Sequence, residues 1–475
     1  MTAFGRWIAW SRGSVNRQIF GAAVTVGVVT FFVSCAVILK DLLVAYRFGT
    51  SDEMDAFLIA WLIPAFASTV VAEPFTAALI PTYVQIRAAR RSDDAAGMFQ
   101  VVLGRSLLVF IAVTILLAAI SPWALAWVGG RFSPQKMALT QTLFLLLLPC
   151  LALNGIATIW SAALNAGERF ALASLAPIAV PIGAMLGLYL FSERWGMVAV
   201  AVGTTVGYLL KCVTLAPAVQ QRVGRWRPRW YGYQAELGAV RRQYLITVCG
   251  ALLMASTLIV DQTMGAQLPA GSVASLTYGM KIVTFLLGLA SVALGTAVLP
   301  HLSSMVARSD WPAVRRTIGT YTRILLIVGS MAALILFVTS GALVDVIYQR
   351  GAFTKADSLA VSRILSMFAL QVPFFLVGTL FVRLAFALQR SKVLLWGALI
   401  SVPLNIVLNW VFMKRFGAAG IALSTSCVYL VSAVFLWFMV VRPLRLVGLE
   451  TTGLGTSAPS TDRGEGRSSS QRSQP

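Results

Sequence analysis

Apolar runs of about 20 residues follow one another along nearly the whole of this 475-residue chain. A run of that length crosses the hydrocarbon core of a bilayer as one helix, since a helix rises about 1.5 Å per residue. Only 12% of the residues are charged, whereas soluble domains carry about 25%. Because backbone polar groups in lipid must be satisfied within their own segment, we predict an all-α, polytopic membrane protein.

Polar and proline-containing breaks divide the apolar runs into about twelve predicted spans. These spans are 19–44, 53–86, 97–127, 135–164, 170–191, 196–218, 243–266, 272–307, 312–345, 357–388, 392–413 and 418–441. We expect a cytoplasmic or interfacial N-terminus (1–18), a six-helix bundle (19–218), a basic amphipathic cytoplasmic linker (219–242), a second six-helix bundle (243–441) and a disordered cytoplasmic tail (442–475).

The distribution of the formal net charge of +21 indicates membrane orientation and argues against nucleic-acid binding. Arginines collect in alternate connections, such as 87–91, 222–242 and 308–316, while the connections between these are poorer in basic residues or balance them with acids. The positive-inside rule places the Arg-rich connections in the cytoplasm. We therefore expect both termini in the cytoplasm.

The two halves of the chain resemble each other. TAALIPTYVQIRAARRSDD matches GTAVLPHLSSMVARSDW, and ERWGMVAVAVGT matches KRFGAAGIALST. Equivalent residues recur 219–221 positions apart: Pro81 and Pro300, Phe132 and Phe353, and Gly196 and Gly417. Six spans per repeat give both halves the same orientation, so we predict two bundles related by a pseudo-two-fold axis along the membrane normal, with the functional site between them.

The stretch 40–91 combines apolar runs with charged residues and prolines. Lys40, Asp41, Asp55 and Glu73 lie inside or beside these runs. A charge in lipid needs a partner or a wet cavity, and a proline frees a backbone carbonyl that must also be satisfied. We predict that this stretch forms one wall of a polar chamber. Snorkelling of Lys40 from a span end is the alternative.

Several of these motifs resemble the MurJ/MviN-type lipid II flippases, members of the multidrug/oligosaccharidyl-lipid/polysaccharide exporter superfamily. They are AYRFGTSDEMDAFLIAWLIP, AEPFTAALIPTY, ALGTAVLPHLSS and YQRGAFTKAD, and the likeness extends over about 17–441. The resemblance implies a flippase that carries a polyprenyl-diphosphate-linked glycan across the membrane by alternating access. The family usually has fourteen spans, against the twelve predicted here.

The resemblance also implies cavity cations that bind the diphosphate. Lys40 and Lys281 stand where the family has arginines, and Asp55 is retained, but Cys35, Ser68 and Thr69 replace other family arginines. We expect both lysine ammonium groups to stand in a wet cavity at mid-bilayer depth, beside the substrate phosphates. Asp41, Asp55 and Glu73 are expected to tune the chamber. Lysines make fewer bidentate phosphate contacts than arginines, so the glycan can be lipid II or an exopolysaccharide unit.

A second candidate site lies in the later spans. Asn405 and Asn409 are four residues apart on one predicted helix and therefore share a face. The resemblance adds Asp261, Thr425 and the backbone of Ile421 as oxygen ligands of a cation, which favours Na⁺ or a proton as coupling ion. The alternative is that the two asparagines only hydrogen-bond neighbouring helices together.

Other classes of function remain open at this stage. A glycan-synthesising membrane enzyme would need an acid/base cluster or a sizeable soluble loop, and the chain has one histidine and no metal or phosphate motif, so we expect no enzymatic activity and no cofactor beyond the coupling ion. A cation-coupled drug antiporter and a non-transporting scaffold of a cell-envelope complex are the alternatives. Expected partners are the lipid-linked glycan, membrane lipid and enzymes of envelope glycan synthesis, with the protein a monomer.

Overall fold

The computed structural model describes residues 15–88, 92–166, 170–223 and 234–444. Within these ranges the chain is helical and contains no strand, as the length and spacing of the apolar runs predict. Most of the predicted N-terminal segment, the central part of the predicted linker and the predicted tail beyond residue 444 lie outside the described residues.

Sixteen α-helices and three short helices of other types make up the described chain. They are α1 (Val15–Phe48), α2 (Asp52–Ala67), a π-helix (Ser68–Ala72), α3 (Pro74–Ala88), α4 (Ser92–Val128), α5 (Pro134–Leu147), α6 (Pro149–Ala166), α7 (Phe170–Leu175), a 3₁₀-helix (Ala176–Ile178), α8 (Ala179–Trp195), α9 (Met197–Val223), α10 (Gln234–Gly265), α11 (Ser272–Ala307), α12 (Trp311–Tyr348), α13 (Lys355–Ala369), α14 (Val372–Ala387), α15 (Ser391–Phe416), α16 (Ala418–Leu436) and a second π-helix (Trp437–Val441).

These helices account for twelve membrane spans. Eleven described segments are long and apolar enough to cross a bilayer, and α13 with α14, bent by 42°, makes a twelfth. The second span consists of α2, the first π-helix and α3, and the fourth consists of α5 and α6. Prolines begin α3 and α6 and stand second in α14, because a proline lacks the N–H that would continue the preceding helix. The predicted span count is confirmed.

The spans form two lobes, and the internal repeat is visible in their local geometry. Gly196 ends α8 with φ 51° and ψ −133°, and Gly417 ends α15 with φ 57° and ψ −135°. Ser133 caps α5 and Thr354 caps α13, each accepting a hydrogen bond from the backbone three residues later. Two unlike sequences therefore use the same turn and the same cap at equivalent places.

The apolar core joins the lobes at one end. A single buried cluster contains Met54 and Leu143 from the first lobe and Val273, Tyr278 and Leu365 from the second. A second cluster, built around the fully buried Phe110, belongs mainly to the first lobe. Burial of this apolar area between lobes favours a state in which they are closed against each other at that end.

Glycines allow α8 and α9 to pack with their backbones in close contact. A Cβ placed on Gly203 would lie 2.4 Å from the Gly183 carbonyl oxygen, and one on Gly207 would lie 2.7 Å from the Val180 Cα. Small residues permit this approach between membrane helices. Since the clashing atoms belong to the backbone, no side chain can move aside.

This contact predicts that Gly203→Ala destabilises the protein. The added methyl group must separate α8 from α9, and overpacking of this kind reduces the free energy of unfolding by about 1–3 kcal/mol. The unfolding midpoint of the purified protein, followed by tryptophan fluorescence, should fall by several degrees. Gly250→Ala is the matched control, because a Cβ there meets no atom within 4 Å. Equal midpoints for the two variants would contradict the close packing.

Candidate functional site

A cavity of about 500 Å³ lies between the lobes. It is bounded by α1 and α2 of the first lobe and by α10 and α11 of the second. Apolar side chains make up most of its wall, and its polar lining includes Ser34, Asp41, Gln262, Thr277 and Lys281. A mostly apolar cavity with a few convergent polar groups is the usual form of a small-molecule site.

Three charged side chains meet at this cavity. The Asp41 carboxylate lies 2.6 Å from the Lys40 ammonium and 2.8 Å from the Lys281 ammonium. Lys281 keeps 34% of its side chain exposed and Asp41 keeps 13%. One carboxylate against two ammonium groups leaves a formal charge of +1. Because Lys281 belongs to the second lobe and Asp41 to the first, the pair also ties the lobes together.

The prediction that both ammonium groups stand in the cavity is wrong for Lys40. Asp41 holds both lysines, since an unpaired ammonium in hydrocarbon costs several kcal/mol. Lys281 lines the cavity as expected, whereas Lys40 is absent from its wall and reaches it only through Asp41. The structure therefore brings three of the predicted residues together, with Asp41 as the common partner.

Asp55 does not line this chamber, contrary to the prediction. Its carboxylate accepts hydrogen bonds from the backbone N–H groups of Gly271, at 2.7 Å, and Ala274, at 2.8 Å. These groups lie at the N-cap and in the first turn of α11, where orphan N–H donors and the helix dipole attract an anion. Lys136 of α5 lies 2.9 Å away on the other side. Asp55 thus joins a helix of the first lobe to the start of α11 in the second.

The sequence analysis missed Lys136, although the local sequence contains a signal for it. Ser133 and Pro134 mark the start of α5, so Lys136 stands in a first helical turn, where a cation is unfavourable. Its side chain is nevertheless only 7% exposed, and its ammonium contacts both Asp55 and Asp52. A lysine at such a position predicts neighbouring carboxylates.

Further hydrogen bonds between the lobes lie at the end of the molecule where Asp55 meets α11, which we call the closed end. The Thr50 hydroxyl donates to Asp357, and the backbone of Ala352 donates to that of Tyr46. Their donor–acceptor distances are 2.5 and 2.8 Å. These contacts are short and cross from one lobe to the other, so they seal the closed end. The positive-inside prediction assigns this end to the outer face.

Glu73 is exposed and lies outside the cavity wall, at the end of the first π-helix. It is hydrogen-bonded to Thr69 and is the carboxylate that acts electrostatically on Lys211 of α9. Lys211 was not predicted as a site residue. It is buried and donates to Asn154 at 2.8 Å. The structure therefore separates Glu73 from the Asp41 cluster and associates it with a different lysine.

The predicted ion-site residues are brought together in the second lobe. Asp261 accepts hydrogen bonds from the side-chain amides of Asn405, at 3.1 Å, and Asn409, at 2.7 Å. The Thr425 hydroxyl lies 3.1 Å from Asp261 and also 3.1 Å from the Ile421 carbonyl. Asp261 is 6% exposed and Asn409 fully buried. Helices α10, α15 and α16 thus enclose a carboxylate with neutral partners.

The donor set of this cluster suits a small cation. The Oδ1 atom of Asn409 is buried and has no hydrogen-bond partner. Rotation of the Asn405 and Asn409 amides would turn their oxygens toward the Asp261 carboxylate, beside which the Thr425 hydroxyl also lies. Hard cations such as Na⁺ prefer oxygen ligands of this kind. One carboxylate also matches a single positive charge.

Two lobes of six spans around a central cavity define a two-lobe membrane transporter. Solved structures with the same fold include "Lipid II flippase MurJ, inward closed conformation", with a TM-score of 0.76 and 22% identity, covering 92% of this chain and 94% of that one. An inward-facing multidrug resistance MATE transporter gives a TM-score of 0.74 at 12% identity, covering 90% and 99%. At such identities the likeness concerns the fold.

Sequence comparison identifies the family. The family described as lipid II flippase MurJ matches residues 44–458, so the chain belongs to the lipid II flippase MurJ family. A Vibrio cholerae serotype O1 protein named "Probable lipid II flippase MurJ" is 25% identical over 450 residues, 92% of this chain and 85% of its own length. A Thermotoga maritima protein of the same name is 24% identical over 408 residues, 86% and 82% of the two chains. The family resemblance seen in the motifs is confirmed.

The geometry around Asp55 predicts a large loss of stability in Asp55→Ala. This change leaves the buried Lys136 with only the exposed Asp52 as a partner and uncaps α11, and loss of a buried partner of this kind costs up to about 3–5 kcal/mol. The unfolding midpoint should fall sharply in Asp55→Ala. It should fall less in the double variant Asp55→Ala/Lys136→Met, which also removes the buried ammonium.

Asp52→Ala is the control for this experiment. Asp52 contacts the same lysine but is 61% exposed, so its removal should cost no more than about 1 kcal/mol. Midpoints that fall equally in Asp52→Ala and Asp55→Ala would show that the contact with α11 is unimportant.

Proposed function

We propose that this protein moves a polyprenyl-diphosphate-linked glycan across the bacterial inner membrane by alternating access. The observation that carries the proposal is the excess of positive charge at the cavity between the lobes, where Lys40 and Lys281 share one carboxylate. A diphosphate cannot cross hydrocarbon without cationic partners. The names of the relatives favour a lipid II-like peptidoglycan precursor, and an exopolysaccharide unit shares the same diphosphate chemistry.

The ion pair between Asp41 and Lys281 supplies a physical mechanism for coupling. In the closed-end state, Asp41 serves as the intramolecular partner of Lys281. A substrate phosphate entering the cavity competes for that ammonium and releases Asp41 from the second lobe. Substrate binding thereby weakens a contact that holds the lobes together. The substrate then favours one arrangement of the lobes over the other, as a ligand must in order to shift a conformational equilibrium.

The other contacts that must change during transport lie at the closed end. For the head group to leave there, the contacts of Asp55 with α11 and of Thr50 with Asp357 must break. The polyprenyl tail stays in lipid throughout. We place both termini in the cytoplasm and the closed end outside, as the positive-inside rule requires. Membrane lipid surrounds a monomer, and enzymes of envelope glycan synthesis are the proposed partners.

The charge of the cavity argues against a drug antiporter. A transporter of cationic drugs would be expected to present a surplus of carboxylates to its substrate, whereas Asp41 is outnumbered by Lys40 and Lys281. A scaffold without transport activity would have no use for a charged cluster inside the membrane, because such charges are costly to keep.

We also propose that the cluster around Asp261 binds the coupling ion, Na⁺ or a proton. Its support is the buried carboxylate with neutral partners and the orphaned oxygen of Asn409. The cluster links α10 to α15 and α16, so ion binding would change how these helices pack. An ion bound in the second lobe can then shift the equilibrium between the two arrangements of the lobes without contacting the glycan.

The proposed function predicts that Lys281→Ala slows transport at least about tenfold. A charge-assisted hydrogen bond to a phosphate is worth about 1.5–3 kcal/mol, and 1.4 kcal/mol corresponds to a factor of ten. The measurement is flipping of a defined, fluorescent lipid-linked glycan in proteoliposomes. Lys281→Arg should retain much of the rate.

Lys414→Ala is the matched control for Lys281→Ala, because Lys414 is exposed and lies over Trp410, away from the cavity. Wild-type flipping in Lys281→Ala would remove the main support for the phosphate-binding role. Absence of flipping in the wild-type protein with every lipid-linked glycan would reject the proposed function itself.

The ion proposal predicts that Asp261→Asn abolishes ion dependence. The amide keeps the shape and hydrogen bonding of the cluster but carries no charge, so the protein should fold. Its flipping rate should no longer respond to a Na⁺ or proton gradient, whereas wild type should respond to one of them. Asp345→Asn, which removes a carboxylate bonded to Lys355 outside the site, should behave as wild type. An unchanged gradient response in Asp261→Asn would reject the site.

A further inference from the structure

Lys211 is a buried lysine that belongs neither to the cavity wall nor to the contacts at the closed end. Its side chain is 9% exposed, and its ammonium donates one hydrogen bond, 2.8 Å to the Asn154 side-chain oxygen. Among the described residues no carboxylate lies within 4 Å of it, whereas Lys281 contacts one carboxylate and Lys136 contacts two. Within the described chain, two of its N–H donors therefore have no acceptor. A buried charge in a membrane helix that lacks a counter-ion at contact distance indicates a functional site.

Further hydrogen-bond donors surround this ammonium. The Asn154 amide nitrogen lies 2.6 Å from the Ser68 hydroxyl and donates to it, and its second N–H has no acceptor among the residues that the structure describes. Within the described chain, the Ser68 hydroxyl has no acceptor for its own proton. Ser68 begins the first π-helix, a form of helix that places side chains in unusual positions and often marks functional sites. Lys211, Asn154 and Ser68 thus present spare donors at one place, as an anion requires.

The cluster continues one wall of the cavity. Leu58, Trp61, Leu62 and Ala65 line the cavity from one face of α2, and Ser68 follows at the same helical spacing. A second connection runs through aromatic rings. Trp61 stacks on Tyr208 with ring centroids 6.1 Å apart, and the Lys211 ammonium lies 5.7 Å from the Tyr208 ring.

The depth of Lys211 differs from that of Lys281. From the closed-end start of α9 at Met197, Lys211 lies roughly 21 Å along the helix, and from the start of α11 at Ser272, Lys281 lies roughly 14 Å along. The two lysines therefore stand at different distances along their helices, with Lys211 further from the closed end. A substrate entering from the end opposite the closed end would pass Lys211 first.

Glu73 supplies the only negative charge noted near this cluster in the described chain. Its carboxylate is hydrogen-bonded to Thr69 and acts on Lys211 from beyond ion-pair distance. Glu73 is exposed, so this carboxylate lies at an accessible surface. This distant carboxylate moderates the charge of Lys211 but leaves its donors available.

From these observations we infer that Lys211, with Asn154 and Ser68, forms a second phosphate-binding station for the lipid-linked substrate. The inference rests on the proposed function and adds a step to it. The diphosphate is bound first by Lys211, further from the closed end, and then in the cavity by Lys281, whose partner Asp41 is also held by Lys40. With two phosphate-binding sites at different depths, the diphosphate crosses a shorter distance without a cationic partner than it would with one site.

The test uses the full-length protein in phosphatidylcholine nanodiscs, with undecaprenyl diphosphate and undecaprenol as probes. The two lipids share the tail and differ in the phosphates. Lys211→Met should weaken binding of undecaprenyl diphosphate about tenfold and leave binding of undecaprenol unchanged, while Lys211→Arg should stay within about threefold of wild type. Lys414→Met is the control for loss of a lysine outside the site.

Asn154→Asp provides a second variant that does not remove the lysine. The new carboxylate would pair with Lys211 and neutralise the station, so the unfolding midpoint should hold or rise while diphosphate binding falls as in Lys211→Met. A purely structural role for Lys211 predicts the opposite result for binding, namely wild-type affinity in Asn154→Asp.

The outcomes separate this inference from the proposed function. Diphosphate binding that is lost in Lys281→Ala but unchanged in both Lys211→Met and Asn154→Asp would overturn the second station and leave the flippase proposal standing. Failure of the wild-type protein to prefer undecaprenyl diphosphate over undecaprenol would overturn both. Loss of preference in the Lys211 and Asn154 variants alike would support the station.

Discussion

Three carboxylates, Asp41, Asp55 and Asp261, lie in the interior of this helical bundle, and each is satisfied by groups from another helix. A charge removed from water and kept away from its partners would cost more than the packing of a helix returns. Asp41 is therefore held by two ammonium groups, Asp55 by an ammonium and a helix N-terminus, and Asp261 by amides and a hydroxyl. These pairings determine which helices must meet, and so where the lobes touch.

The repeat shows how one scaffold accommodates different chemistry. Asp41 and Asp261 stand 220 residues apart, at equivalent places in the two halves. The first has cationic partners and faces the cavity between lobes, whereas the second has neutral partners and is enclosed within one lobe. An excess of positive charge suits an anionic head group, and a carboxylate with neutral oxygen-bearing neighbours suits a cation. The two proposed ligands thus follow from the charge of the partners.

The sequence predicted the fold and part of the site. Apolar runs and their proline breaks were sufficient for the twelve spans, and matched glycines such as Gly196 and Gly417 revealed the repeat. The family likeness selected the residues that the structure gathers around Asp261. The family likeness wrongly assigned Asp55 to the polar chamber, because the sequence around an aspartate does not show which helix end its carboxylate contacts. Lys136 and Lys211 were missed, since Lys136 lies 81 residues from its partner Asp55 and Lys211 lies 57 residues from its partner Asn154.

By itself, the sequence determined that this chain is a membrane protein of twelve spans in two similar halves. The reason is that segment length, hydropathy and turn residues act locally, within one helix and its ends. Only the tertiary structure decided which charges are neutralised and which remain available. That Asp41 shares two lysines, that Asp55 caps α11 and that Lys211 has no carboxylate at contact distance all depend on distances between helices far apart in the chain, and an electrostatic interaction is governed by distance in space.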